Sequence, residues 1–145
     1  MIYIGIDPGS SGAVSVIWDD GEPATQFHKL SEPEHDLIDY LKQFDLQSAK
    51  ATIESVHSMP KQGVASSFKF GKSFGFCLGV LTGLKIPYKL VSPQKWQAAM
   101  SCRTGGDKNI SKAAAQRLWP AIKITHANAD SLLLAEYGRT VAWKE

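Results

Sequence analysis

Asp7 closes the alternating run Ile2-Tyr3-Ile4-Gly5-Ile6-Asp7, Glu54 closes Ala51-Thr52-Ile53-Glu54, and His126 and Asp130 stand four residues apart further on. Each has an ordinary explanation when taken singly, because Asp before Pro-Gly is common turn chemistry and a Glu at a strand end is usually solvated. Their joint placement points elsewhere. Both Asp7 and Glu54 end an extended run with the chain turning just after, and the i,i+4 spacing puts His126 and Asp130 on one helix face. Clustered carboxylates repel unless a cation neutralises them. A set rich in oxygen and free of sulfur suits Mg²⁺, with Mn²⁺ as a substitute. Two such ions about 4 Å apart beside a basic surface are the layout for phosphodiester hydrolysis.

Those positions meet only if the intervening chain folds into a sheet with helices against it. Ile2, Ile4 and Ile6 alternate with Tyr3, Gly5 and Asp7, so a first strand sets Asp7 on the face opposite the isoleucines. Pro8 keeps Asp7 extended, and the stretch Gly9–Gly12 turns the chain. Ala13–Trp18 and Ala24–Leu30 read as second and third strands around the turn Asp19-Asp20-Gly21-Glu22-Pro23. Ser31 is placed to cap a helix, with Pro33 in its first turn, Glu34 completing a capping box, and an apolar stripe of Leu37, Ile38, Leu41 and Phe44. Ala51–Ser55 and Tyr88–Val91 read as strands on either side of a long helix over Val64–Leu84. Ser92 caps a short helix that starts at Pro93 and contains Trp96; Lys108–Leu118 forms another, stopped by Pro120; His126–Ala142 forms the last. This order predicts an α/β fold, a mixed five-stranded sheet flanked by helices, as one domain over residues 1–145. If the first and fourth strands are adjacent and parallel, Asp7 and Glu54 share a sheet edge and the last helix lays Asp130 beside them.

Composition narrows the partners. At 145 residues with 43% hydrophobic and 21% charged residues, the chain has ordinary globular usage. Cys77 and Cys102 make neither a disulfide framework nor a metal-ligand spacing, and read as reduced thiols. The longest apolar run, Ser73–Leu84, lies between Lys72 and Lys85 and is shorter than the roughly 17–25 residues of a membrane span, so no membrane association is expected. No charged-then-apolar leader opens the sequence, which makes a cytoplasmic location the expectation. The net charge of +2 conceals a strong asymmetry: −7 over Met1–Ser55, +10 over Val56–Thr125 and −1 over the remainder. A basic half of this kind points to a polyanion partner.

Within that basic half, Phe68 and Phe70 flank Lys69, with Lys72 close behind and Lys61-Gln62 upstream. Aromatics interleaved with lysines suit unstacked bases and phosphates, although the same phenylalanines could fill a core. Gly105-Gly106-Asp107-Lys108 precedes a helix, so free amides with Lys108 could hold a phosphate. It lacks the full nucleotide phosphate-loop pattern, and no nucleotide cofactor is expected. Lys95 adds a further base. Gly71, Gly75, Gly79 and Gly83 make a side-chain-free stripe along the long helix, at about 1 kcal/mol each relative to alanine. Close approach of the sheet, ranked slightly ahead, or of a second copy would compensate.

The motifs Gly5-Ile6-Asp7-Pro8-Gly9-Ser10-Ser11-Gly12-Ala13, Ile53-Glu54 and His126-Ala127-Asn128-Ala129-Asp130-Ser131-Leu132-Leu133-Leu134-Ala135 resemble those of the RuvC-type Holliday-junction resolvases, most closely the branch of phages, some bacteria and plastids. The likeness runs on through Met59–Val64, Phe70-Gly71-Lys72 and Gly105–Lys108. It implies an RNase H-like fold, a homodimer, Mg²⁺ dependence with two ions per site, and symmetric nicking of four-way DNA junctions in recombination, repair or phage DNA processing. By motif match it places metal and catalytic roles on Asp7, Glu54, His126 and Asp130. Under this reading the basic half supplies the expected DNA contacts, Lys61, Gln62, Phe68, Lys69, Phe70, Lys72, Lys95, Gly106 and Lys108. Many relatives carry a second acid in the last motif, where this chain has His126 or Asn128, so the fourth ligand stays open between them. A bacterial or phage-infected cell is the expected setting, a plastid less so because no transit peptide is seen. The rival readings are an RNase H-like nuclease acting on RNA and a non-catalytic junction-binding protein. An actin-like ATPase would need two such domains.

Overall fold

The computed structural model describes residues 1–55 and 63–144, so Lys61 and Gln62 lie outside the described residues. Strands β1 (Ile2–Asp7), β2 (Ala13–Trp18), β3 (His28–Lys29), β4 (Ala49–Glu54) and β5 (Tyr88–Val91) form one sheet in the order β3-β2-β1-β4-β5. β1 runs antiparallel to β2 and parallel to β4, and β4 runs parallel to β5. Helices α1 (Glu34–Leu41), α2 (Val64–Gly83), α3 (Pro93–Ala99), α4 (Lys108–Leu118) and α5 (His126–Tyr137) complete the mixed α/β, RNase H-like arrangement expected from the sequence.

The alternation of β1 divides the interior in two. Ile2, Ile4 and Ile6 join Ala51, Ile53, Leu37, Leu41, Cys77 and Leu81 in one buried cluster, which α1 and α2 cover. Ile17, Val91, Trp96, Ala115, Leu132 and Leu133 form a second cluster among α3, α4 and α5. Helix α5 packs on β1 at Gly5, where an added Cβ would overlap the Ser131 carbonyl and the Ala135 amide nitrogen. Ser131 Oγ lies 2.7 Å from Ser15 Oγ, fixing the helix on the neighbouring strand as well. Register between sheet and helix is thus set by a glycine and two small hydroxyls.

Four local expectations are corrected. The third strand shrinks to His28–Lys29, because Pro23 has no N–H to donate and the chain near it makes only an isolated bridge to Ile17. Ser31 does not cap α1: Pro33 holds the N-cap position at φ −54° and ψ 144° without a side-chain bond, and the helix starts at Glu34. The last helix is α-helical only to Tyr137 and continues as a π-helix over Gly138–Ala142, which crosses β4 where Gly138 meets Thr52. Finally, the glycine stripe does not face the sheet. Cys77, Val80 and Leu81 carry α2 into the core, and Gly71, Gly75, Gly79 and Gly83 lie around the opposite side with nothing within 4 Å of an added Cβ.

Candidate active site

The pairing of β1 with β4 ends at Ile6 opposite Ile53, so Asp7 and Glu54 each stand one residue beyond that pair. Pairing with β2 sets Asp7 against Ala13, and pairing with β5 sets Glu54 against Val91. Both carboxylates therefore leave the same end of the two central strands on the face that α5 covers. Because α5 is seated on Gly5 through Ser131, the residue before it, Asp130, enters the same space.

Electrostatics record this convergence. Burial holds the Asp7 carboxyl well above its ordinary range, and the charges of Glu54 and then Asp130 push it further, with Lys108 opposing. Burial also raises Glu54, against the indole N–H of Trp96, which donates to Oε2 at 2.6 Å. Asp130 is raised by burial and relieved by a hydrogen bond from Ser111, then by the charges of Lys108 and His126. Lys108 thus acts on all three carboxylates from the first turn of α4.

His126 opens α5 and is exposed, while Thr125 rather than His126 caps the helix. Asn128 is spent on that cap. Its Oδ1 accepts from the Thr125 amide at 2.8 Å, its Nδ2 donates to the Lys123 carbonyl at 3.2 Å, and it is buried. Of the two candidates for a fourth ligand, His126 is the one with its side chain available.

Around the site, the loop after β1 is tied to α2 by the Gly9 amide, which donates to Ser73 Oγ at 3.0 Å. Gly9 has φ +118°, and Phe70 lies 3.9 Å from where its Cβ would be. Phe70 is half-buried and stacks on Phe74 with centroids 6.3 Å apart, whereas Phe68 is 73% exposed. Lys69, Lys72, Lys95 and Lys108 are exposed. The amides before α4 are less free than the glycines implied. The Gly106 amide donates to Thr104 Oγ1 at 3.3 Å, and the Asp107 carboxylate caps the helix by accepting from Asn109. Sequence reading missed Trp96 and Ser111 as partners of the carboxylates; the only signal was a lone tryptophan in a short polar helix placed directly after β5.

Among the described residues, no three His, Cys, Asp or Glu side chains close on a point as a ready-made metal cage. The donor chemistry nonetheless fits a hard divalent cation, with three carboxylates in one partly buried space, no thiolate among them, and mutual repulsion that a cation would relieve.

No protein-family model and no curated protein sequence matches the chain. Solved structures do. Thermus thermophilus RuvC in complex with a Holliday junction substrate superposes with a TM-score of 0.70 at 16% identity, covering 97% of this chain and 97% of that one. A second Thermus thermophilus RuvC structure gives a TM-score of 0.69 at 18% identity, covering 96% of each chain. From β1 to the last helix, the chain has the RNase H-like fold seen in RuvC.

Proposed function

We propose that this protein is a structure-selective endonuclease that resolves four-way DNA junctions by phosphodiester hydrolysis. The observation that carries the reading is the convergence of Asp7, Glu54 and Asp130 beside Lys108 at the end of the two central parallel strands. Its support comes from the RuvC-like fold, one example of which is described with a Holliday junction substrate.

Asp7, Glu54 and Asp130, with His126, would hold Mg²⁺ or Mn²⁺, two ions per site. Bound there, the metal supplies an activated water and charge stabilisation for the leaving oxygen. The protein's own groups do the rest. Trp96 holds one oxygen of Glu54 by a hydrogen bond. Ser111 lies beside Asp130 and favours its charged form. Lys108 places a positive charge where a scissile phosphate would approach. Lys69, Lys72 and Lys95 follow the DNA backbone, and Phe68 offers a ring to an unstacked base. The active unit is a homodimer, because two symmetric cuts need two sites. The open glycine face of α2 supports this, being a helix surface that a second backbone could approach closely.

Incubating the protein with labelled four-way, three-way and linear duplex DNA, with and without Mg²⁺, tests the reading. Paired nicks in the four-way junction only with metal are expected. Preferential cutting of structured RNA, or tight junction binding without cleavage, would overturn it.

A further inference from the structure

A pocket of about 430 Å³ opens between α3, at Pro93, Gln94 and Gln97, and the loop that leads to α4, at Arg103, Thr104, Gly105 and Gly106. It shares no residue with the carboxylate site, yet both of its walls adjoin that site. On α3, Gln97 follows Trp96, whose indole N–H donates to Glu54 at 2.6 Å. Beyond the loop, Lys108 acts on all three carboxylates. Its α-carbon is two residues from that of Gly106, at most about 7.6 Å away. The pocket thus lies where nucleotides next to a phosphate at the carboxylates would pass.

Hydrogen bonds hold the loop against the helix. The Thr104 amide donates to Gln97 Oε1 at 3.4 Å, the Gly106 amide to Thr104 Oγ1 at 3.3 Å, and the Asp107 amide to the Thr104 carbonyl at 2.9 Å. The same bonds argue against a phosphate as the occupant. Of the amides that would cradle one, those of Gly106 and Asp107 are taken, and the Asp107 carboxylate holds the start of α4 by accepting from Asn109. What stays open is different. Among the described residues, the Arg103 guanidinium and the Gln94 carboxamide have no hydrogen-bond or ion-pair partner. Pro93 gives an apolar wall, and Gly105 and Gly106 leave open space where side chains would stand. A few polar groups converging on such walls suit a flat heterocycle.

Arg103 brings donors alone, in a rigid fork, so its match is a base edge with two adjacent acceptors. Guanine presents O6 and N7 that way. Adenine and cytosine place an amino group on that edge, and thymine sets one oxygen beside a methyl group. The Gln94 oxygen is then left to accept from the N2 amino group of guanine. Resting on the junction-resolving reading, we propose that this pocket reads a guanine next to the cut phosphate, with Arg103 and Gln94 setting which junction sequences are cut.

Two measurements separate this pocket from the nuclease reading. The first takes the intact protein without Mg²⁺, labelled with ¹⁵N at arginine, and titrates it with dGMP, dAMP, dCMP, dTMP and inorganic phosphate. Saturable shifts of the Arg103 side chain are expected with dGMP, at about tenfold higher affinity than with the other nucleotides, and none with phosphate. The second uses four-way junctions of fixed centre that carry each base in turn on either side of the cut phosphate. Guanine at one of these positions should speed cutting about tenfold. Arg103→Lys keeps the charge and loses the fork, so the preference should fall to about twofold or less, with an unchanged melting curve because the position is exposed. Gln94→Ala, also at an exposed position, should lower the preference too. Equal binding of the four nucleotides, shifts with phosphate alone, cutting indifferent to the flanking base, or a guanine preference that survives Arg103→Lys would overturn the proposal. Selective binding of dGMP with no junction cut at all would support the guanine pocket and overturn the nuclease reading alone.

Discussion

Gly5 lies so close beneath Ser131 that a single methyl group on its α-carbon would collide with the backbone of α5. That contact seats the helix, and the seat sets where Asp130 enters the space above Asp7. Gly5→Ala is therefore expected to destabilise the fold by about 3 kcal/mol, at the upper end of overpacking because the obstacle is backbone. Denaturant unfolding measures the loss. Unchanged stability would mean that α5 slides freely on the sheet.

The carboxylates above that contact trade stability for charge. Asp7, Glu54 and Asp130 all have raised pKa values in the folded state, with burial the first cause of each. The folded protein then binds more protons than the unfolded chain between the ordinary carboxylate pKa and the raised one, so stability falls as pH rises through that window. Asp7→Asn should raise the melting temperature at neutral pH, flatten its pH dependence and abolish junction cleavage while sparing junction binding. Mg²⁺ should raise the melting temperature of the wild type more than that of the variant. A variant that melts lower than wild type at pH 7 would contradict the repulsion argument.

Trp96 donates its indole N–H to one carboxylate oxygen of Glu54. Trp96→Phe keeps most of the buried ring and removes the donor. Cleavage should slow about tenfold, in line with losing a partner of a carboxylate proposed to ligate metal. Single-turnover rates across a Mg²⁺ series check it: a rate restored at high Mg²⁺ marks a positioning role, and an unchanged rate removes Trp96 from the site.

For His126, the cap supplied by Thr125 and Asn128 separates chemistry from stability. His126→Ala should leave the fold within about 0.5 kcal/mol of wild type, as an exposed position whose side chain takes no part in the capping box. If it ligates or moves a proton, the single-turnover rate drops severely at the same time. A full rate would leave three carboxylates as the working set.

Much of this arrangement was legible in the sequence because it rests on periodicity. The alternation of Ile2, Ile4 and Ile6 fixed the face of Asp7, and Ser92-Pro93 marked the start of α3. What escaped depends on contacts between distant segments. Trp96 meets Glu54 across 42 positions, and Ser15 meets Ser131 across 116. For the glycine stripe the spacing leaves sheet and second copy open, the sheet slightly ahead, because it shows that residues share a face without showing which way the face points. Cys77, Val80 and Leu81 decided that. The cap of α1 moved to Pro33 because the fixed φ of proline outweighed the capping box that Ser31 and Glu34 spell.

Substrate choice separates two neighbouring rings. Lysines alone would give salt-sensitive binding to any duplex, so selectivity needs a group that reads an open junction centre. Phe68 is 73% exposed, while Phe70 stacks on Phe74 beside Gly9. Phe68→Ala should leave stability within about 0.5 kcal/mol and lower junction cleavage well beyond its effect on duplex binding, since stacking on an exposed base is worth roughly 1–3 kcal/mol. Phe70→Ala should cost stability and loosen the loop after Asp7, slowing cleavage without changing selectivity. Lys69→Ala and Lys72→Ala should weaken junction and duplex alike and flatten the salt dependence. Melting curves paired with cleavage and duplex-binding assays over a salt series resolve the four variants. Should Phe68→Ala cut junctions at the wild-type rate, the open centre is not read by this ring, and junction choice falls to the geometry of the dimer.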